Sequence, residues 1–147
     1  MQAKSYRQVS YTPSWDRFLT LGLKTLGAKN VWNKHFFAYL NVLDRKKPVI
    51  WAGDLNVAPT AQDLAHPKPN WNKTAGYTEA ETTAFKNFLN PTSDNADNGK
   101  FIDVWRDLHP DERAYTYFSY RFNCRMNGIG WRIDGCTLIF SFTLEVG

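Results

Sequence analysis

Cysteine is scarce. Cys124 and Cys136 are the only two in 147 residues, too few and too far apart for a zinc site or a disulfide framework. They read as free thiols in a reducing compartment, so the expected location is intracellular, and nuclear if the source is eukaryotic. Long apolar runs are missing too: nothing approaches a membrane span, and the polar opening "MQAKSYRQVS" lacks the apolar core of a signal peptide. Membrane association is therefore not expected. Neither G-x-G-x-x-G nor a Walker loop occurs, so no nucleotide cofactor is expected. There are no repeats, no low-complexity tract and no obvious linker. What remains is a chain of one domain's length with 43% hydrophobic and 16% aromatic residues, the composition of a globular protein with a core.

The net charge of +4 is unevenly placed. Residues 1–50 carry nine Lys/Arg against two acids, whereas 51–147 carry nine against twelve. A basic segment beside an acidic-to-neutral one is compatible with phosphate-backbone binding at one edge and a metal-holding site at another, and equally with ordinary solvated surface.

Periodicity places the elements. "YRQVSYT" (6–12) alternates as a strand ending at Pro13, and "SWDRFLTLGLKTL" has roughly helical spacing broken by Gly22. "NVWNKHFFAYLNVLD" is a better helix: Trp32, Phe36, Leu40 and Leu43 share a face, Asn30 is available as N-cap and Lys34 lies on the wet side. "KPVIWAGD" is a short apolar run between Pro48 and Gly53, hence a buried strand. A long loop with Pro59, Pro67 and Pro69 leads to "TEAETTAFKNFL", where Thr78 and Glu81 form a capping box ahead of Ala84, Phe85, Phe88 and Leu89. "AYTYFSYRF" and "GWRIDGCTLIFSF" are aromatic and β-branched, and read as strands. Strands and helices intermixed without repeats predict an α/β or α+β layered domain with a mixed sheet and flanking helices.

Two stretches carry chemistry. In "GDLNVAP" (53–59) an apolar strand ends by exposing Asp54 and Asn56, which in an extended segment point to the same side. One is a carboxylate, the other an amide that both donates and accepts. The alternative is a strand end closed by an Asx-type turn. In "NCRMNGIGWRIDG" (123–135) and the residues before it, Arg121, Arg125 and Arg132 interleave with Tyr117, Phe118, Tyr120, Phe122 and Trp131. Such mixing suits a surface that neutralises phosphates and packs rings on bases or sugars, or a half-buried strand pair whose arginines are its solvent face.

Taken in order, "GDLNVAP…DL", "AGYTEAE…F", "FIDVWRDLHP" and "AYTYFSYRFNCRMNGIGWRID" resemble the C-terminal half of the exonuclease III-type apurinic/apyrimidinic (AP) endonucleases of the endonuclease/exonuclease/phosphatase superfamily. The resemblance runs from Pro48 to Asp134 and more faintly back to Tyr11. It implies a metal-dependent DNA-repair phosphodiesterase, using Mg²⁺ or Mn²⁺, that nicks duplex DNA on the 5′ side of an abasic site. It also implies roles. Asp54 orients the attacking water, Asn56 holds the scissile phosphate, and both serve as metal ligands. Asp134 braces a catalytic histidine, while Tyr117, Trp131 and Ile133 line the pocket for the flipped-out baseless sugar. Arg121 and Arg125 join the DNA-binding set, as does Tyr11 in "YTPS", where the family's following asparagine is Ser14.

The fold so implied is two packed sheets flanked by helices. Residues 1–147 would form a partial domain supplying mainly one sheet, with "PVIWA", "AYTYFSY" and "WRIDGCTLIF" in it and one apolar sheet face left uncovered. The departures matter as well. The family's N-terminal half, with its metal-binding glutamate, and its closing S-D-H have no counterpart here. Gly135 replaces an aromatic, and Thr74 stands where many relatives have a DNA-contacting asparagine. His35, His66 and His109 sit in non-matching contexts. The expectation is an impaired enzyme, or alternatively an inactive remnant that binds nucleic acid or a partner.

Overall fold

The computed structural model describes residues 7–9, 22–90 and 101–139. Tyr11, the segment 13–21 and everything after Ile139 lie outside the described residues, so the expectations placed on them are not addressed. Among the described residues a four-stranded mixed sheet forms the centre, its strands lying in the order Arg7–Val9, Val49–Asp54, Asp134–Ile139 and Phe101–Asp103. Strand β1 (Arg7–Val9) runs parallel to β2 (Val49–Asp54). Strand β4 (Asp134–Ile139) is antiparallel both to β2 and to β3 (Phe101–Asp103). The fold is α+β, as the interleaved periodicities predict.

The short run "VIWAGD" becomes the buried strand β2 because its alternate residues serve two faces. Val49 and Trp51 are buried, whereas Ile50 and Ala52 are half-buried. Against the Val49–Trp51 face pack helix α1 (Leu26–Asp44), through Phe36, Leu40 and Leu43, and a second helix, Glu79–Leu89, through Phe85 and Phe88. Trp51 meets Phe36 and Phe88 edge-on, with ring centroids 5.1 and 5.5 Å away. Full burial of one such aliphatic or phenyl side chain contributes about 1.5–3 kcal/mol, so this cluster is the main source of stability. The opposite face presents Ile50, Ala52, Ile102, Cys136 and Leu138, all half-buried.

Helix α1 begins at Leu26 after a 3-10 turn over Gly22–Thr25, four residues before the expected cap at Asn30, and no side chain caps it. Its first turn is held instead by tertiary contacts of Lys29, which outweigh the missing cap. The long loop after β2 has structure of its own. Thr60 and Asp63 make a reciprocal capping box around the 3-10 turn Ala61–Asp63, and the short helix α2 (Pro67–Asn70) follows. At the start of α3 (Glu79–Leu89) only half of the expected box forms. Thr78 Oγ1 accepts from the Glu81 N–H, but the Glu81 carboxylate turns to the Gly76 N–H and the Thr78 hydroxyl.

Two strand expectations are corrected. "AYTYFSYRF" is irregular: Tyr117 alone bridges to Trp131, and a 3-10 turn follows over Arg121–Asn123. Phe122 and Asn123 take φ values of 58° and 50°, left-handed conformations that end any extended run. "WRIDGCTLIF" enters the sheet only from Asp134. After β3 the chain makes one more short helix, α4 (Val104–Leu108).

Gly130 shows how tightly the irregular segment is packed. A Cβ there would lie 2.6 Å from Tyr115 Cβ and 2.7 Å from the Phe118 ring. Gly130→Ala is expected to cost about 1–3 kcal/mol through overpacking, read as a lower urea midpoint with unchanged slope. An unchanged midpoint would mean that the segment yields freely.

Candidate active site

Strands β2 and β4 end side by side, and Asp54 opposes Asp134 in the last pair of their ladder. The next hydrogen bond outward runs from Leu55 N–H to Ile133 O at 2.9 Å, which makes this a non-hydrogen-bonded pair. In such pairs the Cα atoms are about 4.5 Å apart and the side chains stand together on one face. Like charges directly opposite each other disfavour the fold, so this placement is not explained by stability. Asp54 is half-buried, and Asp134 is exposed. Burial raises the Asp54 carboxyl above its ordinary value and the neighbouring Asp134 charge adds to the effect, against the opposing pull of the Asn56 N–H and, more weakly, of the nearby Asn56 side-chain amide and the Lys29 charge.

Asn56 departs from the extended geometry. Its backbone N–H donates to Asp54 Oδ1 at 2.9 Å, closing an Asx-type turn, and its φ is 48°. Asparagine is among the few non-glycine residues that take this conformation readily. The residue is buried, yet neither Oδ1 nor Nδ2 of its side chain carries a hydrogen bond. Buried amides are nearly always satisfied, so these atoms are suited to a ligand.

The apolar candidates lie beside this mouth. Tyr117 and Trp131 exchange backbone hydrogen bonds of 2.8 and 2.9 Å, and Thr116 Oγ1 accepts from the N–H groups of Ile133 and Asp134. A Cβ on Gly76 would sit 3.1 Å from Asn56 O and 3.9 Å from the Trp131 ring, so the ring and the Asn56 backbone flank one glycine. Tyr117, Trp131 and Ile133 are all partly exposed there. His109, by contrast, pairs with Glu112 and stacks on Trp105.

The three arginines divide. Arg121 and Arg125 are exposed on the loop that also presents Tyr120, Phe122 and Met126 to solvent, and Arg125 lies over the Phe118 ring. Arg132 is not a surface charge: it is 4% exposed and bonds Asp63 at 2.7 Å and Asp103 at 2.8 Å. Arg106 shares Asp63 at 2.6 Å. A guanidinium surrounded by two buried carboxylates cannot reach a phosphate, so Arg132 belongs neither to a phosphate-neutralising surface nor to a solvent face, the two readings of the interleaved pattern. Sequence reasoning missed both this network and Lys29. Only the carboxylates in "QDL" and "FID" hinted at partners for a buried arginine.

Mg²⁺ is commonly held by one or two carboxylates, with phosphate oxygens and water completing its shell. Asp54, the adjacent Asp134 and the bond-free Asn56 Oδ1 fit that shared mode. They do not make a self-sufficient cage: among the described residues no cluster of three or more His, Cys, Asp or Glu side chains could hold a metal. No helix among them is long and apolar enough to cross a membrane.

A profile described as the Endonuclease/Exonuclease/phosphatase family matches residues 4–135. The chain is 42% identical over 125 residues to an exodeoxyribonuclease of Bacillus subtilis (strain 168), covering 84% of this chain and 44% of that one. It is 43% identical over 117 residues to a DNA-(apurinic or apyrimidinic site) endonuclease of Dictyostelium discoideum, covering 78% of this chain and 30% of the other. An AP endonuclease structure from Archaeoglobus fulgidus superposes with a TM-score of 0.66 at 30% identity, over 78% of this chain and 42% of that one. The chain thus spans less than half the length of these relatives.

Proposed function

The chain belongs to the endonuclease/exonuclease/phosphatase family, and from that membership we propose that it carries part of an AP endonuclease site for hydrolysing DNA phosphodiesters 5′ to abasic positions. The observation that supports this most is the juxtaposition of Asp54 and Asp134 at one strand end with the bond-free amide of Asn56. In this reading Asp54 orients the attacking water and accepts its proton. Asn56 Nδ2 donates to a phosphoryl oxygen as negative charge develops on it. Asp134 stands ready to orient a basic partner. Tyr117, Trp131 and Ile133 receive the sugar, reading the missing base as shape. Mg²⁺ or Mn²⁺, held by Asp54 and Asn56 together with phosphate oxygens, would supply charge neutralisation when bound. Residues 1–147 act here as a partial domain.

Binding tests the reading without requiring turnover. Duplex DNA with one abasic analogue should bind more tightly than the intact duplex, and Trp131→Ala should remove the preference. Arg121→Ala and Arg125→Ala should each lower the slope of log K against log salt by about 1, for both duplexes alike. Equal affinity for the two duplexes in the unaltered chain would count against an abasic-site pocket. A second reading, a binding module without chemistry, is favoured by the exposed Tyr120–Met126 loop. It predicts the salt slope without the abasic preference.

A further inference from the structure

We propose that Lys29 and Glu81 are positioning residues: a buried ion pair that clamps the backbone of Asn56 and, through it, Asp54. Lys29, in the first turn of α1, sends Nζ to Asn56 O at 2.9 Å and to Glu81 Oε1 at 2.7 Å. Glu81, in the first turn of α3, accepts with Oε2 from the Gly76 N–H at 2.9 Å and the Thr78 hydroxyl at 2.8 Å. Both residues are buried, 8% and 2% exposed. The Gly76 carbonyl in turn accepts from the Ala58 N–H at 2.8 Å. The loop leaving β2 is therefore held on two sides by one lysine–glutamate pair, and two helices meet there.

A pair that only tied α1 to α3 would have no need of the bond from Lys29 Nζ to Asn56 O. That contact goes to the carbonyl of Asn56, which among the described residues is the one non-glycine at once left-handed, buried and bond-free at its side chain. Asn56 is thus gripped at both backbone ends, its N–H by Asp54 Oδ1 and its carbonyl by Lys29. Rotation of either peptide plane would swing the Asn56 amide and release the Asp54 carboxylate together. Gly76 takes part too: its φ is 89°, and a Cβ there would press on Asn56 O at 3.1 Å. A water-facing lysine could not do this work, because an ammonium competing with bulk water would not fix a carbonyl's direction.

The inference rests on the reading of Asp54 and Asn56 given above, and its test is kept separate from that reading. In the 147-residue chain, the double variant Lys29→Met/Glu81→Gln removes both charges and leaves neither ion alone. With far-UV circular dichroism and the Trp51 indole resonance unchanged, the Asn56 side-chain amide pair should shift. The Asn56 backbone N–H should lose about tenfold or more in hydrogen-exchange protection. Lys29→Arg should largely restore both signals. If the double variant does not fold, Glu81→Gln alone, which keeps the shape, should give the same changes at smaller size. Unchanged Asn56 signals in whichever variant folds would overturn the proposal and leave the role given to Asn56 untouched. Displaced Asn56 signals with unaltered abasic-DNA binding would uphold the clamp and remove that role instead.

Discussion

Replacing Asp63 with alanine is expected to cost about 3–5 kcal/mol, a large part of the stability of a domain this size. Asp63 is fully buried and accepts from Arg132 Nε, from an Arg106 guanidinium nitrogen and from the backbone and hydroxyl of Thr60. Removing it leaves the buried Arg132 with Asp103 alone and takes the cap from the turn that follows β2. The loss would be read as a drop in urea midpoint, with Arg132→Met in the Asp63→Asn background recovering part of it. The same carboxylate sets an acid limb. Burial would raise it, but the Arg132 hydrogen bonds and charge, with Thr60 and Arg106, hold it below its ordinary value. A depressed acid contributes its stability in full above the unfolded-state value, about pH 4, and loses it as pH falls towards the folded-state one. Asp63→Asn should therefore flatten stability below about pH 4. A loss under about 1 kcal/mol in Asp63→Ala would show that water enters the network and screens it.

The second large effect is on catalysis. The purified 147-residue chain with Mg²⁺ is expected to nick an abasic duplex at least about a thousandfold more slowly than full-length family members. Asp54, Asn56 and Asp134 are present, but the glutamate and the S-D-H motif implied by the resemblance have no counterpart in the sequence. The described residues offer no three-ligand cluster to replace them. Phosphodiester hydrolysis needs a positioned nucleophile, charge neutralisation and help to the leaving group at once, and groups that act as a unit fail together. A gel of end-labelled duplex decides the matter. Robust nicking that Asp54→Ala abolishes would refute the expectation and mean that other side chains complete the site.

What could be read from sequence was whatever depends on near neighbours. "PVIWAGD" announces a buried strand by its apolar run, and "TEAETTAFKNFL" announces a helix by its cap and periodicity; both are found. The meeting of Asp54 with Asp134 was reachable through the motifs of the resemblance, although Asp134 is expected inside a strand and stands at the start of one. The failures share a cause. Arg132 alternates with Trp131 and Ile133 like a solvent-facing residue, but its carboxylate partners lie 69 and 29 positions away and only the folded chain brings them in. Lys29 looks like a wet residue of "LGAKN", and its partner Glu81 is 52 positions distant. "AYTYFSYRF" has the composition of a strand, and composition cannot reveal that Phe122 and Asn123 turn left-handed. At Asn56 the Asx-type turn that the D-x-N spacing also offers is the one found, in place of the extended arrangement.

The opposed carboxylates sit on the final rung of a ladder whose side chains alternate with period two, so their placement is a matter of parity. Inserting or deleting one residue between Val49 and Gly53 would carry Asp54 from its mouth into the layer of Trp51, Phe36 and Phe88, where a charge has no partner. Changing the strand by two would keep the face but slide the carboxylate by about 7 Å along the sheet, away from Asp134. A change of length in β2 is therefore expected to be more damaging than a same-size apolar substitution on its buried face, because it moves Asp54 whatever residue is added or removed.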